Sequence, residues 1–122
     1  MVNYKVILFN FFLFVLTMSG YMYILKCADD SFYVGSTNDL DSRLEEHNSG
    51  SGANFTKDRL PVELVYCEKF DWIDQAFYRE KQIQKWSRKK KIALINGDIQ
   101  KLKLLAKNHT RHPPPIEKSE EE

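Results

Sequence analysis

Glu80 is the side chain hardest to explain by packing alone. At 100° per residue, a helix opened by Asp71 or Asp74 carries one apolar face made of Ile73, Ala76, Phe77 and Ile83, and Glu80 falls in its middle. A carboxylate buried there without a partner costs on the order of several kcal/mol or takes up a proton. It needs a core arginine to bridge or a cap to make, or else a divalent metal, because a hard cation takes carboxylate oxygen. On an earlier helix Leu40 and Leu44 mark the buried side. Arg43 and His47, four residues apart, lie at the edge of that side, while Asp41, Ser42, Glu45 and Glu46 point away. Taken singly, a long arginine stem lying on apolar surface and a satisfied histidine explain these two equally well. Tyr23, Tyr33 and Gly35 form a third group. Strand tyrosines usually pack a sheet and a strand glycine usually permits a close backbone approach. The two tyrosines share a face only if the turn between them has an odd number of residues. With Asp29-Asp30-Ser31 as that turn, Leu25 lies opposite Gly35.

The elements that must position these residues follow from punctuation and pattern. Tyr21 to Cys27 and Phe32 to Ser36 read as a β-hairpin around the Asp29-Asp30-Ser31 turn. Asn38 caps a helix from Asp39 to His47, and Asn48 to Gly52 ends it in a flexible loop. Pro61 precedes a third strand, Val62 to Glu68. A second helix reaches about Trp86, Ser87 caps a third that Gly97 ends, and Asp98 caps a fourth over Ile99 to Lys107. The order is ββαβααα, an α+β chain. Its folded domain spans 19–107, and a polar tail, 108–122, with Pro113-Pro114-Pro115 and an acidic end, reads as disordered.

Residues 1–18 stand apart. After Lys5 the chain runs from Val6 to Met18 with Asn10 and Thr17 as its only polar residues. This suits a dispensable extension with translation starting at Met18 or Met22, or a signal or anchor through residues 5–18 with Thr17-Met18-Ser19 as a cleavage site. It also suits a span reaching Leu25, which would consume residues that the hairpin needs. The expectation is a cytoplasmic domain that uses none of this segment, with export or membrane anchoring as the alternative.

Composition adds limits. The 122 residues, 43% hydrophobic and 29% charged, suit one small globular core, and the net charge of +1 argues neither for nor against a polyanion partner. The distribution is more telling: residues 79–112 hold 11 basic and 2 acidic side chains, and residues 1–78 hold 6 and 11. Two cysteines, Cys27 and Cys67, exclude a disulfide-dense fold and a four-cysteine zinc site, and both read as buried thiols in strand-like runs.

Taken together, the motifs match a family. Tyr21-Met22-Tyr23-Ile24, then Tyr33-Val34-Gly35 ten residues on, then Arg43 and His47 on one helix and Glu80 on the next, resemble the GIY-YIG nuclease domain. Arg59-Leu60-Pro61-Val62-Glu63-Leu64-Val65-Tyr66 also resembles small stand-alone bacterial members of it. The resemblance covers about Tyr21 to Asn96. Tyr21 and Met22 depart from the glycine and the small or β-branched residue of the first motif, and Tyr23 itself is retained.

The resemblance implies a three-stranded antiparallel sheet flanked by helices, and divalent-metal-dependent hydrolysis of DNA phosphodiesters with Mg or Mn. It makes Tyr23 and Tyr33 the active-site tyrosines, sets Arg43 on the scissile phosphate, gives Glu80 the metal, matches His47 one helical turn after Arg43, and matches Asn96 to a late polar residue. A tyrosine with a pKa near 10 is a poor base alone. A neighbouring cation such as the metal or Arg43 favours its phenolate, so Tyr23 is the expected general base, with His47 or Tyr33 as relay or positioning partner. Lys85, Arg88, Lys89 and Lys90 beside Trp86, and Lys57 and Arg59 near the glycine-rich loop, are the expected DNA contacts. No base-reading motif occurs, so structure or strand selectivity is expected, in a repair or recombination setting. The contrasting reading is a non-catalytic nucleic-acid-binding module of the same fold.

Overall fold

The computed structural model describes residues 3–111. Helix α1 (Tyr4–Met18) opens the chain, with the Asn3 side chain accepting the Lys5 N–H as its cap. Among the described residues no helix is long and apolar enough to cross a membrane. Tyr21 to Leu25 belong to strand β1 (Gly20–Lys26), as the hairpin reading requires. β1 lies between β2 (Phe32–Thr37) and β3 (Glu63–Phe70) and is antiparallel to both, giving the sheet order β2-β1-β3.

The hairpin register differs from the expected one. Tyr23 pairs with Gly35 and Leu25 with Tyr33, because the connection runs from Cys27 to Ser31. The Cys27 N–H donates to the Ser31 carbonyl at 2.9 Å and the Asp30 N–H to the Cys27 carbonyl at 3.0 Å, so these two residues close a longer turn. Asp30 takes the left-handed conformation that the turn needs, with φ 65°. The longer connection is still odd in length. The two tyrosines therefore keep a common face, offset along the strands.

α2 (Leu40–Asn48) is capped by Asp39 and not by Asn38, its carboxylate accepting the Ser42 N–H at 3.2 Å and the Ser42 hydroxyl at 2.9 Å. The expected flexible loop is instead built in. Ser49 Oγ and the Ser51 N–H donate to the Glu46 carbonyl, and a short helix, α3 (Asn54–Lys57), follows directly. The third strand starts and ends later than expected, and α4 (Ile73–Gln84) starts between the two expected openings, Asp71 and Asp74, with Trp72 at its N-cap, and ends before Trp86.

Alternation along β1 divides the core. Tyr23, Leu25 and Cys27 join Val62, with Leu40, Leu44, Leu60 and Leu64 packed against them. Met22 and Ile24, fully buried, face the side on which α4 crosses β1 and β2. Arg79 of α4 donates to both carboxylate oxygens of Glu68, at 3.1 and 2.9 Å, and Gln84 Nε2 donates to the Val34 carbonyl at 3.2 Å. These contacts tie α4 to both edge strands. Cys27 is buried, but Cys67 is exposed on β3.

Trp86 opens a second compact unit. Within it α5 (Arg88–Ile95) and α6 (Ile99–Arg111) pack on each other, with Ser87 and Asp98 as the expected caps and Gly97 turning the chain at φ 68°. α6 runs past the expected end at Lys107, since no glycine or proline occurs before Pro113. The rest of the expected tail, 112–122, lies outside the described residues.

Gly20 is where α4 meets the sheet most closely: a Cβ there would stand 2.8 Å from the Ile73 Cα. Gly20→Ala is expected to lower unfolding free energy by about 1–3 kcal/mol through forced separation of α4 and β1. Urea denaturation measures this, and an unchanged midpoint would contradict so tight a contact.

Candidate active site

Alternation on β1 turns Tyr23 to the face shared with α2, and α2 brings His47 under it. The Tyr23 hydroxyl lies 2.9 Å from His47 Nε2, and His47 Nδ1 lies 2.8 Å from Thr56 Oγ1. All three side chains are essentially sealed from solvent. Two glycines make the room. A Cβ on Gly35 would overlap the Tyr23 hydroxyl, and one on Gly52 would stand 2.6 Å from His47 Nδ1. Gly35 thus lets the tyrosine lie across its own partner strand, and Gly52 lets the α2–α3 loop close onto the imidazole.

Tyr33 is half-buried beside them, its ring centroid 6.3 Å from that of Tyr23 and 5.1 Å from that of His47. Phe55 stacks on Tyr33 at 6.1 Å, and the Arg59 guanidinium sits 4.0 Å over Phe55. Arg59 also donates to the Phe55 carbonyl at 2.7 Å and to Asp29 at 3.1 Å. It pins α3 to the hairpin turn, and Lys57 on α3 is exposed.

Arg43 approaches the same hydroxyl from α2. Its guanidinium donates to Glu46 at 2.7 Å, and its positive charge also acts on Tyr23. Both interactions hold its proton more tightly than usual. Burial pushes the Tyr23 phenol up to about 12, although the nearby Arg43 cation pulls the other way. Of the two cations expected to favour the phenolate, Arg43 alone does not outweigh the desolvation. His47 moves below its usual range, because burial and the Arg43 charge disfavour imidazolium while Glu46 partly offsets them.

Glu80 enters from α4 on the other side of β2. It is 8% exposed. Ser36 Oγ donates to it at 3.3 Å and Lys81 Nζ stands 3.4 Å away, so no core arginine bridges it. The buried stripe of α4 is narrower than expected: Ala76, Glu80 and Ile83 are inside, and Phe77 is 47% exposed. Among the described residues no three His, Cys, Asp or Glu side chains cluster as metal ligands. One buried carboxylate with long, weak partners suits magnesium or manganese that keeps most of its waters, and not a closed all-protein cage. Ser36 and Arg43 also line one cleft of about 730 Å³ between α2 and α4, together with Thr37, Ser42, Ile73 and Phe77. The arginine and the partner of the glutamate thus open on the same space.

Sequence reasoning missed Ser36, Gly52 and Thr56. Ser36 had a signal, because strand parity places it on the opposite face from Tyr33 and Gly35. Thr56 had none. Lys85 ends α4, exposed. In the second unit Arg88 and Lys89 are exposed, Lys90 Nζ sits 4.0 Å over the Trp86 ring, and Asn96 is the exposed C-cap of α5.

The family model of the GIY-YIG catalytic domain matches residues 19–93. The chain belongs to the GIY-YIG family. This is a nuclease-type family, and its domain implies a nucleic-acid substrate. A UPF0213 protein of Staphylococcus saprophyticus is 49% identical over 76 residues, 62% of this chain and 93% of that protein. One from Bacillus pumilus is 54% identical over 71 residues, 58% and 72% of the two chains. The solution NMR structure of a UPF0213 protein from Bacillus halodurans is 40% identical, with a TM-score of 0.44 over 65% of this chain and 84% of that one.

The lowered His47 value sets a pH dependence. Above about 6.5 the ring is neutral in both folded and unfolded chains, so its burial costs nothing in protonation. Below that, the unfolded chain takes up the proton first, and stability falls as pH drops through the folded value. In an NMR titration the His47 ring is expected to have its midpoint below about 6.5, and a midpoint above it would contradict the buried neutral ring.

Proposed function

We propose that this domain is a divalent-metal-dependent endonuclease that hydrolyses DNA phosphodiester bonds, as a repair or recombination nuclease does. The observation that carries the reading is the Tyr23 hydroxyl held on His47 Nε2 within the field of the Arg43 charge, with Arg43 lining the same cleft as the Ser36 that donates to Glu80. Glu80 holds the metal. When bound, magnesium or manganese offsets the charge that grows on the phosphoryl oxygens and the leaving oxygen.

The protein's own groups move the protons. In the metal-free chain burial pushes the Tyr23 phenol up to about 12, so it is not a standing base there. Tyr23 accepts a proton from the attacking water only as its own passes to His47 Nε2. The water oxygen then bonds to phosphorus and the phosphorus–ester oxygen bond breaks. The leaving alkoxide takes a proton from solvent, and the His47 imidazolium returns one, so the sum is ester plus water giving acid plus alcohol. Arg43 binds the phosphate and supplies positive charge where negative charge develops. It is paired with Glu46 until then, so the phosphate takes over that partner. Tyr33 positions His47 through ring contact. Lys57, Lys85, Arg88, Lys89 and Lys90 are the proposed contacts to the DNA backbone, which hold the strand without reading bases.

The test is cleavage of single-stranded, duplex and branched DNA with and without magnesium or manganese. Metal-dependent cleavage is expected, with Glu80→Ala and Arg43→Ala each reducing it by at least about 100-fold while keeping the native circular dichroism spectrum. Glu80→Ala should melt no lower than the native chain, since it removes a carboxylate from an apolar stripe. Salt-sensitive binding without cleavage under any metal would favour the binding module and overturn the catalytic reading.

A further inference from the structure

The hydrogen bonds around His47 have a direction that the side chains themselves impose. At one end stands the Arg43 cation, which can only donate and whose charge acts on the Tyr23 hydroxyl. At the other end stands the Ala53 carbonyl, which can only accept, and Thr56 Oγ1 lies 3.0 Å from it. Between them each group both gives and receives: Tyr23 at 2.9 Å from His47 Nε2, and His47 Nδ1 at 2.8 Å from Thr56. The Arg43 charge favours the Tyr23 oxygen lone pairs turned toward it, so the phenol proton needs an acceptor elsewhere, and His47 Nε2 stands 2.9 Å away. With the Thr56 hydroxyl donating to Ala53, its oxygen is left to accept, and Nδ1–H stands in front of that. Reversing the direction would leave the Tyr23 proton aimed away from the one acceptor at hydrogen-bond distance, inside a sealed space where an unmet donor is costly. Among the described residues no buried side-chain donor or acceptor lacks a partner, which agrees with a chain satisfied throughout.

We propose that Thr56 is a positioning residue which holds His47 as the Nδ1–H tautomer and so keeps Nε2 bare toward Tyr23. The tautomer stands on this geometry alone, and its catalytic consequence rests on the hydrolytic reading given above. The device is local. Gly52 brings the loop against the imidazole, and Ala53 caps α3 and supplies the terminal carbonyl. Thr56 is fully buried one turn later, so the short helix acts as a bracket behind the histidine. Arg43 and Glu46 from α2, Tyr23 from β1 and Tyr33 from β2 are the other titratable and charged groups around the ring. None of them approaches Nδ1 within hydrogen-bond distance, which leaves the tautomer to Thr56.

The experiment is a long-range proton–nitrogen NMR spectrum of the full, metal-free chain with ¹⁵N-labelled histidine, at a pH where the His47 ring is neutral. The native chain is expected to show a protonated Nδ1 and a bare Nε2. Thr56→Val keeps the shape but removes the acceptor, and should shift His47 toward the Nε2–H form. With magnesium and DNA it should lower kcat by at least about tenfold at unchanged KM, and Thr56→Ser should restore both the spectrum and the rate. A native spectrum with Nε2 protonated overturns the proposal, whether or not any variant folds. So does a folded Thr56→Val chain with native tautomer and native kcat. A native chain with the expected tautomer that cleaves nothing upholds the assignment and overturns the hydrolytic reading.

Discussion

The rest of this structure depends on one sealed chain of hydrogen bonds, from Tyr23 through His47 and Thr56 to the Ala53 carbonyl. Three polar side chains without solvent access would each cost on the order of 1–3 kcal/mol if unpaired. The sheet and loops are shaped to pair them. β1 must be central so that Tyr23 is covered from both sides, Gly35 must lie opposite it to leave space for the hydroxyl, and α2 must run long enough to carry His47 beneath it. The loop after α2 then cannot be free, because it has to deliver Thr56.

This arrangement separates two tasks across the edge strand β2. On one face lie Tyr23 and His47, the groups proposed to move a proton, whose charged forms burial disfavours. Toward the other lies Glu80, whose carboxylate has a serine hydroxyl and an exposed lysine as company. Burying the acid among Ala76 and Ile83 weakens the helix as a packing element, and the two contacts from Arg79 and Gln84 to the flanking strands hold that helix in place. A charge facing inward on a helix docked elsewhere by polar contacts is the signature of a site that trades stability for function.

The sequence showed the parts that depend on local pattern. Alternation and turn residues located the three strands, and the caps Ser87 and Asp98 located α5 and α6. The misplaced residue types, Glu80 on an apolar stripe and Arg43 with His47 turned inward, pointed to the candidate site. What stayed hidden depended on contacts between distant segments. The hairpin register moved by two residues because Cys27 and Ser31 bond to each other, and no local rule distinguishes that turn from a three-residue one. Thr56 looked like an ordinary polar residue after a glycine-rich stretch, since its role exists only once Gly52 has closed on His47. The burial of Tyr23 was hidden for a similar reason. A nearby cation can be read from motifs, but the depth of burial that opposes it cannot.

The most direct test of the account is the DNA cleavage rate of Tyr23→Phe beside the native chain, with magnesium present and the fold checked by circular dichroism. The substitution removes one hydroxyl and leaves the ring that packs the sheet. If Tyr23 transfers the proton from water to His47, the rate falls by at least about 100-fold in a protein that remains folded. A folded Tyr23→Phe chain that cleaves DNA at the native rate would contradict the account at its centre.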